Sequence, residues 1–202
     1  EISQQNMKKD YTQINPVIHE AYEMLQNAAK RSDGLSGLSS GFEKLDKMTS
    51  GWQNSDLIII AARPAMGKTA FVLSMAKKMA VDMKIPCAMF SLEMSNVQLV
   101  NRMIVNVCEI PGEKIKSGQL APYEWGQLDS KITQLYDAPF YVDDTPSLSV
   151  FELRTKARRL VREHGVKIIM IDYLQLMNAS GMSFGSRQEE VSTISRSLKG
   201  LA

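Results

Sequence analysis

Histidine and cysteine are scarce in this chain, two of each in 202 residues. His19, His164, Cys87 and Cys108 show none of the close Cys or His spacings that hold zinc, so a structural metal is excluded as the organising feature. The two cysteines are expected as buried thiols in a reducing compartment. Long apolar runs are also missing: nothing approaches the ~20 residues a helix needs to cross a bilayer. The opening Glu1-Ile2-Ser3-Gln4-Gln5 lacks the basic-then-apolar pattern of a secretory signal, so a soluble, cytoplasmic protein without membrane contact is expected. Aromatic residues are few, at 7%. Trp52 and Trp125 lie outside any array suited to base stacking and are read as packing residues. A net charge of +2 does not by itself announce a polyanion partner. What is present is an ordinary globular composition, 44% hydrophobic and 23% charged, enough for one cored domain and an appendage.

Asn15-Pro16 reads as a helix start, with Val17, Ala21, Met24, Leu25 and Ala28 recurring on one face. The glycine- and serine-rich stretch 32–41 then suits a flexible connection, which leaves the first helix free to pack outside its own domain. The chain therefore divides into a helix and hinge over 1–40 and a main domain over 41–202. In the main domain short apolar runs alternate with longer helical periodicities, the pattern of an α/β fold with a mainly parallel sheet. Strands are expected at about 56–62, 87–92, 140–142 and 167–171. Three helices open with capping boxes, Ser95 with Gln98, Ser149 with Glu152 and Ser186 with Glu189. Pro122 falls in the first turn of another, and Gly165 ends the helix that closes at His164.

Ala62-Arg63-Pro64-Ala65-Met66-Gly67-Lys68-Thr69 follows the apolar run Leu57-Ile58-Ile59-Ile60-Ala61, the strand–loop–helix context of a phosphate-binding P-loop. There, backbone N–H groups and the helix N-terminus cradle phosphate, Lys68 reaches the β/γ oxygens and the Thr69 hydroxyl holds Mg²⁺. Alanine replaces the usual first glycine, a departure that matters only if position 62 needs positive φ or very close approach. In a parallel sheet the ligand crevice lies at the carboxyl ends of the strands. Asp172 ends Ile168-Ile169-Met170-Ile171 there, as a Walker B aspartate does when it holds Mg²⁺. Glu93 ends Ala88-Met89-Phe90-Ser91-Leu92. Spacing leaves it open between a general base for the water that attacks the γ-phosphate and an acid at a helix N-terminus.

Four segments carry a more specific resemblance: the P-loop, Ser91-Leu92-Glu93-Met94-Ser95, Ile171-Asp172-Tyr173-Leu174-Gln175-Leu176 and Arg187-Gln188-Glu189-Glu190-Val191. Together they resemble the replicative DNA helicases of the bacterial DnaB family, over about 40–202, and the first helix resembles that family's linker helix. The resemblance implies a RecA-like P-loop core that binds ATP and Mg²⁺ and works as a homohexameric ring on single-stranded or forked DNA. It also implies 5′-to-3′ unwinding at the replication fork, with a primase and a helicase loader as partners. It assigns Glu93 as catalytic base and tolerates Ala62. It further implies a strand after Ala202 bearing a γ-phosphate-sensing glutamine, placed between the Walker A and Walker B strands, then an arginine finger and a second DNA-binding loop. A sheet built from this segment alone is therefore expected to have an interior gap, and 41–202 to be a partial motor domain.

The polar loop 178–186 stands where RecA-like motors place a DNA-contacting loop, and Arg187 at its end is read either as a DNA phosphate contact or as a solvated first-turn residue. Arg154, Arg158 and Arg162 share one helix face, a solvated or subunit-facing surface rather than a DNA site. His19 and His164 are read as surface or capping residues. A RecA-like recombination or repair ATPase that binds DNA without ring unwinding is the alternative function. A P-loop small-molecule kinase is a weaker third, because no lid or second substrate pocket is visible.

Overall fold

The computed structural model describes residues 13–30, 34–179 and 185–202. Helix α1, Ile14–Lys30, contains Asn15-Pro16 in its first turn. Its apolar residues Ile14, Val17, Ile18, Tyr22, Met24 and Leu25 are all exposed. Ser32 and Asp33 of the expected hinge, like the side chain of Ala28, lie outside the described residues.

The second half of that hinge is not a free connection. Leu38 and Trp52 exchange backbone hydrogen bonds of 2.8 and 2.7 Å. Behind this bridge stands helix α2, Glu43–Thr49, whose Asp46 gathers the corner. Its carboxylate accepts from the Ser39 hydroxyl at 2.6 Å, and from the Ser40 amide and hydroxyl at 2.8 and 2.6 Å. Serines so close to a buried carboxylate fold back onto it instead of remaining solvated, which composition alone does not reveal. Glycine at 51 is required both by its φ of 83° and by space, since a Cβ would lie 2.8 Å from the Leu38 carbonyl oxygen.

The core is a parallel three-stranded sheet in the order β2-β1-β3, formed by β1 Cys87–Ser91, β2 Phe140–Asp143 and β3 Ile168–Asp172. β1 is buried at every position, as a central strand covered on both faces must be. Its side chains enter two cores. Cys87 and Met89 pack with Leu73, Met79, Leu99 and Met103, from α3 Lys68–Ala76, its π-helical continuation Lys77–Asp82, and α4 Asn96–Cys108. Phe90 packs with Leu148, Leu153, Ile194 and Leu198. Leu148 lies in the loop before α7 Val150–His164, Leu153 in that helix, and the other two in α8 Arg187–Leu201. Two further helices, α5 Gly112–Ser117 and α6 Pro122–Tyr136, complete the first face. Cys87 and Cys108 are buried free thiols, and burial pushes the Cys87 thiol up to about 12.

The helix starts follow the expected caps. Ser95 and Ser149 form full capping boxes with Gln98 and Glu152. Ser186 accepts from the Glu189 amide at 3.3 Å, but the Glu189 carboxylate reaches one residue further back, to the Gly185 amide at 3.1 Å. Pro122 opens α6, and Gly165 closes α7 in the left-handed conformation at φ 63°.

The expected strand at 56–62 does not form: the segment leading to the P-loop joins no ladder. It faces β3 across a groove of about 570 Å³ lined by Ile58, Ile60, Ile169 and Ile171, and Ile59 is 73% exposed. The groove lies between the same two segments where the sequence predicts an interior gap. Apolar β-branched residues favour extended backbone, but a strand exists only through hydrogen bonds to a neighbour, and none reaches it across the groove.

Candidate functional site

The P-loop stands out from the body of the protein, exposed at every residue of 62–67. Ala62 is absent from the left-handed residues; that conformation falls instead on Ala65, at φ 64°, and Gly67, at φ 84°. The φ of position 62 therefore makes no demand for glycine. A Cβ at Gly67 would meet nothing within 4 Å, so glycine serves there for its φ and not for space. Helix α3 starts directly at Lys68, with the Phe71 amide donating to the Gly67 carbonyl at 2.9 Å. The N-terminal amides of α3 and its positive dipole end are thus turned into the loop, where an anion is stabilised.

Lys68, Thr69 and Asp172 come together, as their motifs require. The Thr69 hydroxyl donates to Asp172 Oδ2 at 2.6 Å, and Lys68 Nζ lies 3.7 Å from Asp172 Oδ1. Asp172 is nearly buried at 3% exposure. The neighbouring Tyr173 ring sits under the lysine, with Nζ 4.2 Å from its centroid, a favourable place for a cation. Sequence reasoning assigns Tyr173 no role although it lies within a motif; its only signal is its place one residue past the Walker B acid, at the mouth of the crevice.

Strand register carries Glu93 to the same end of the sheet. Ser91 of β1 pairs with Asp172 of β3, and the Leu92 amide donates to the Asp172 carbonyl at 2.9 Å. Glu93 therefore stands two residues beyond the last ladder pair, at the carboxyl end of the sheet. It is exposed, in the turn between β1 and α4.

Thr69 and Asp172 supply two hard oxygens facing the phosphate loop. They fit Mg²⁺, which takes one or two protein oxygens and fills the rest of its octahedron with phosphate and water. Among the described residues no cluster of three or more His, Cys, Asp or Glu forms a separate metal site.

Arg187 behaves differently from the expectation of a DNA phosphate contact. From the first turn of α8 its guanidinium donates to the Gln175 carbonyl and the Glu190 carboxylate, and to the Met177 carbonyl at 2.9 Å. Glu190 also accepts from the Ala179 amide at 3.1 Å, and that bond together with Arg187 holds its carboxyl below the ordinary value. These bonds clamp the segment after β3 to α8. Ser180, Gly181, Met182, Ser183 and Phe184 of the neighbouring loop lie outside the described residues. His164 stacks on Tyr141, ring centroids 4.4 Å apart, and His19 lies 3.7 Å from Glu23 on exposed α1. No described helix is long and apolar enough to cross a membrane.

Comparison with known proteins identifies the family of the chain. Residues 37–202 match the family described as the DnaB-like helicase C-terminal domain. The replicative DNA helicase DnaB of Geobacillus stearothermophilus is 45% identical over all 202 residues, and the replicative DNA helicase DnaC of Bacillus subtilis 42%. The chain spans 44% of the length of each. Among solved structures, one described as an ATPase domain superposes with a TM-score of 0.85 at 35% identity, covering 95% of this chain and 67% of that one. A DnaB-like replicative helicase solved with attention to its interactions with primase gives 0.82, also at 35% identity, covering 95% of this chain and 46% of that one. The α/β core is thus of the RecA-like type, and the chain belongs to the DnaB-like helicase C-terminal domain family.

Proposed function

We propose that the full-length protein is an ATP-driven replicative DNA helicase that unwinds duplex in the 5′-to-3′ direction as a homohexameric ring at the fork. The observation that carries this is the meeting of Lys68, Thr69 and Asp172 at one end of the sheet, with Glu93 delivered to that end by the register of β1 and β3, in a chain of this family.

ATP is bound with its phosphates in the loop 62–69, against the amides at the start of α3. Lys68 moves from Asp172 and Tyr173 to the β/γ oxygens and neutralises charge that grows in the transition state. Thr69 and Asp172 would hold Mg²⁺, which would offset phosphate charge there. Glu93 orients the attacking water and accepts its proton. Arg187 is a DNA phosphate contact in this reading, and its guanidinium would exchange its bonds within the chain for the phosphate. Single-stranded or forked DNA, a primase and a helicase loader are the partners of this reading. A cytoplasmic setting is supported by the two free, buried cysteines.

The test is unwinding of a forked duplex by the full-length protein. Wild type is expected to separate strands when ATP is present and the 5′ arm is single-stranded, and Lys68→Ala to separate none. ATP-dependent strand exchange without unwinding would support the recombination-type ATPase instead, and phosphorylation of a small acceptor would support a kinase.

A further inference from the structure

Glu93 sits in the short turn 92–95 between a strand and a helix, and a base must be held to a fraction of an ångström to act on one water. The near end of this turn is fixed by the sheet: the Leu92 amide donates to the Asp172 carbonyl, and the buried Ser91 hydroxyl accepts from the Met94 amide at 3.1 Å. The far end is fixed from another strand. Asp144, in the loop after β2, accepts from the Asn96 amide at 2.8 Å through Oδ2. That amide is the first of α4, one of the N-terminal donors a helix cannot satisfy for itself.

The Asp144 loop is braced in turn. Lys156 of α7 reaches Asp143 Oδ2 at 2.6 Å and the Thr145 hydroxyl at 2.7 Å, while the Thr145 amide donates to Asp143 Oδ1 at 2.9 Å. A rigid path therefore runs from α7 through β2 to the start of α4. Asp144 has no other work visible on this path: it is exposed, lies outside the P-loop and is separated from Asp172 by the full width of β1.

We propose that Asp144 is a positioning residue for the hydrolytic reaction, which holds the Glu93 turn by tying down the α4 N-terminus. This rests on the reading of Glu93 as the base. What is needed from Asp144 is an acceptor oxygen, and an asparagine amide oxygen supplies one, so charge is secondary.

The experiment measures steady-state ATP hydrolysis and fluorescent ADP affinity in the full-length protein carrying Asp144→Ala, Asp144→Asn, Glu93→Gln, and Glu93→Gln with Asp144→Ala. Asp144→Ala is expected to lower kcat about ten-fold or more, in line with the cost of small displacements of reacting groups, with ADP affinity unchanged. Asp144→Asn is expected to stay within about three-fold of wild type, because it keeps the acceptor. In the Glu93→Gln background the alanine change is expected to add less than about two-fold, since two residues acting through one step are not additive. Glu93→Gln impaired with Asp144→Ala unchanged overturns this proposal and leaves the base assignment standing. Loss of ADP affinity in Asp144→Ala, failure of Asp144→Asn to restore kcat, or full multiplication of the two defects overturns it in favour of a general structural role. Glu93→Gln without effect overturns both.

Discussion

Lys68 and Thr69 are neighbours in sequence, yet the residue that gives them chemistry, Asp172, lies more than a hundred positions away and meets them because β3 ends beside the start of α3. In the proposed reaction, losing the ammonium removes the charge partner of the transferring phosphoryl group. Lys68→Ala is therefore expected to bring ATP hydrolysis of the full-length protein to background, as read by phosphate release; turnover like wild type would exclude the site. At this scale the motif residues are legible because each motif is a local pattern with its own chemical role. A loop needs positive φ near its end, a hydroxyl follows a lysine, and an acid follows four apolar residues. Tyr173 under Lys68 and Asp144 on the Asn96 amide are not legible, because both contacts join elements far apart in sequence that only the fold sets side by side. Arg187 shows the opposite limit. A first-turn arginine beside a polar loop suggests a phosphate contact, but carbonyls left by the 3₁₀ turn Leu174–Leu176 are nearer partners.

Among the elements, the corner 37–46 has the composition of a hinge and is a closed unit around Asp46. Burial pushes this carboxyl up, but hydrogen bonds from Ser39, Ser40 and the Gly41 amide outweigh it, leaving the group below its ordinary 3.8. Asp46→Ala leaves the Ser39 hydroxyl and the Ser40 amide and hydroxyl without this acceptor and is expected to cost roughly 2–3 kcal/mol in urea unfolding. Because the folded-state pKa is the lower one, the unfolded chain binds more protons in acid. The contribution is intact above about pH 4 and is lost as pH falls through the folded value. The gap in stability between wild type and Asp46→Asn is thus expected to narrow below about pH 4; a gap independent of pH would contradict the assignment. Capping boxes are legible because they are written within four residues, whereas the missing ladder at 56–62 is not legible from its own composition. Helix α1 presents an exposed apolar face, and such a face is stabilised by being covered. Its removal from the full-length protein is expected to weaken the proposed hexamer in sedimentation velocity; rings of unchanged stability would argue against a role at the subunit contact.

For the whole molecule, the matched relatives are more than twice as long as this chain, and one side of the site, between 56–62 and β3, stands open. A polypeptide of residues 1–202 alone is expected to show little or no DNA-stimulated ATPase activity even with Lys68, Glu93 and Asp172 intact. An arginine finger, which the family resemblance places elsewhere, accounts for about three to five orders of magnitude in such reactions. Robust DNA-stimulated turnover by those residues alone would show that this half of the site suffices. In the proposed reaction, binding and hydrolysis are carried by different residues brought to one sheet end: the loop 62–69 with Asp172 for binding, and Glu93 for the water. The most direct test is Glu93→Gln in the full-length protein, with ATP affinity measured by equilibrium binding beside DNA-stimulated hydrolysis. ATP affinity is expected to stay within about three-fold of wild type, with hydrolysis reduced by about two or more orders of magnitude; undiminished hydrolysis, or affinity and hydrolysis falling together, would contradict the account.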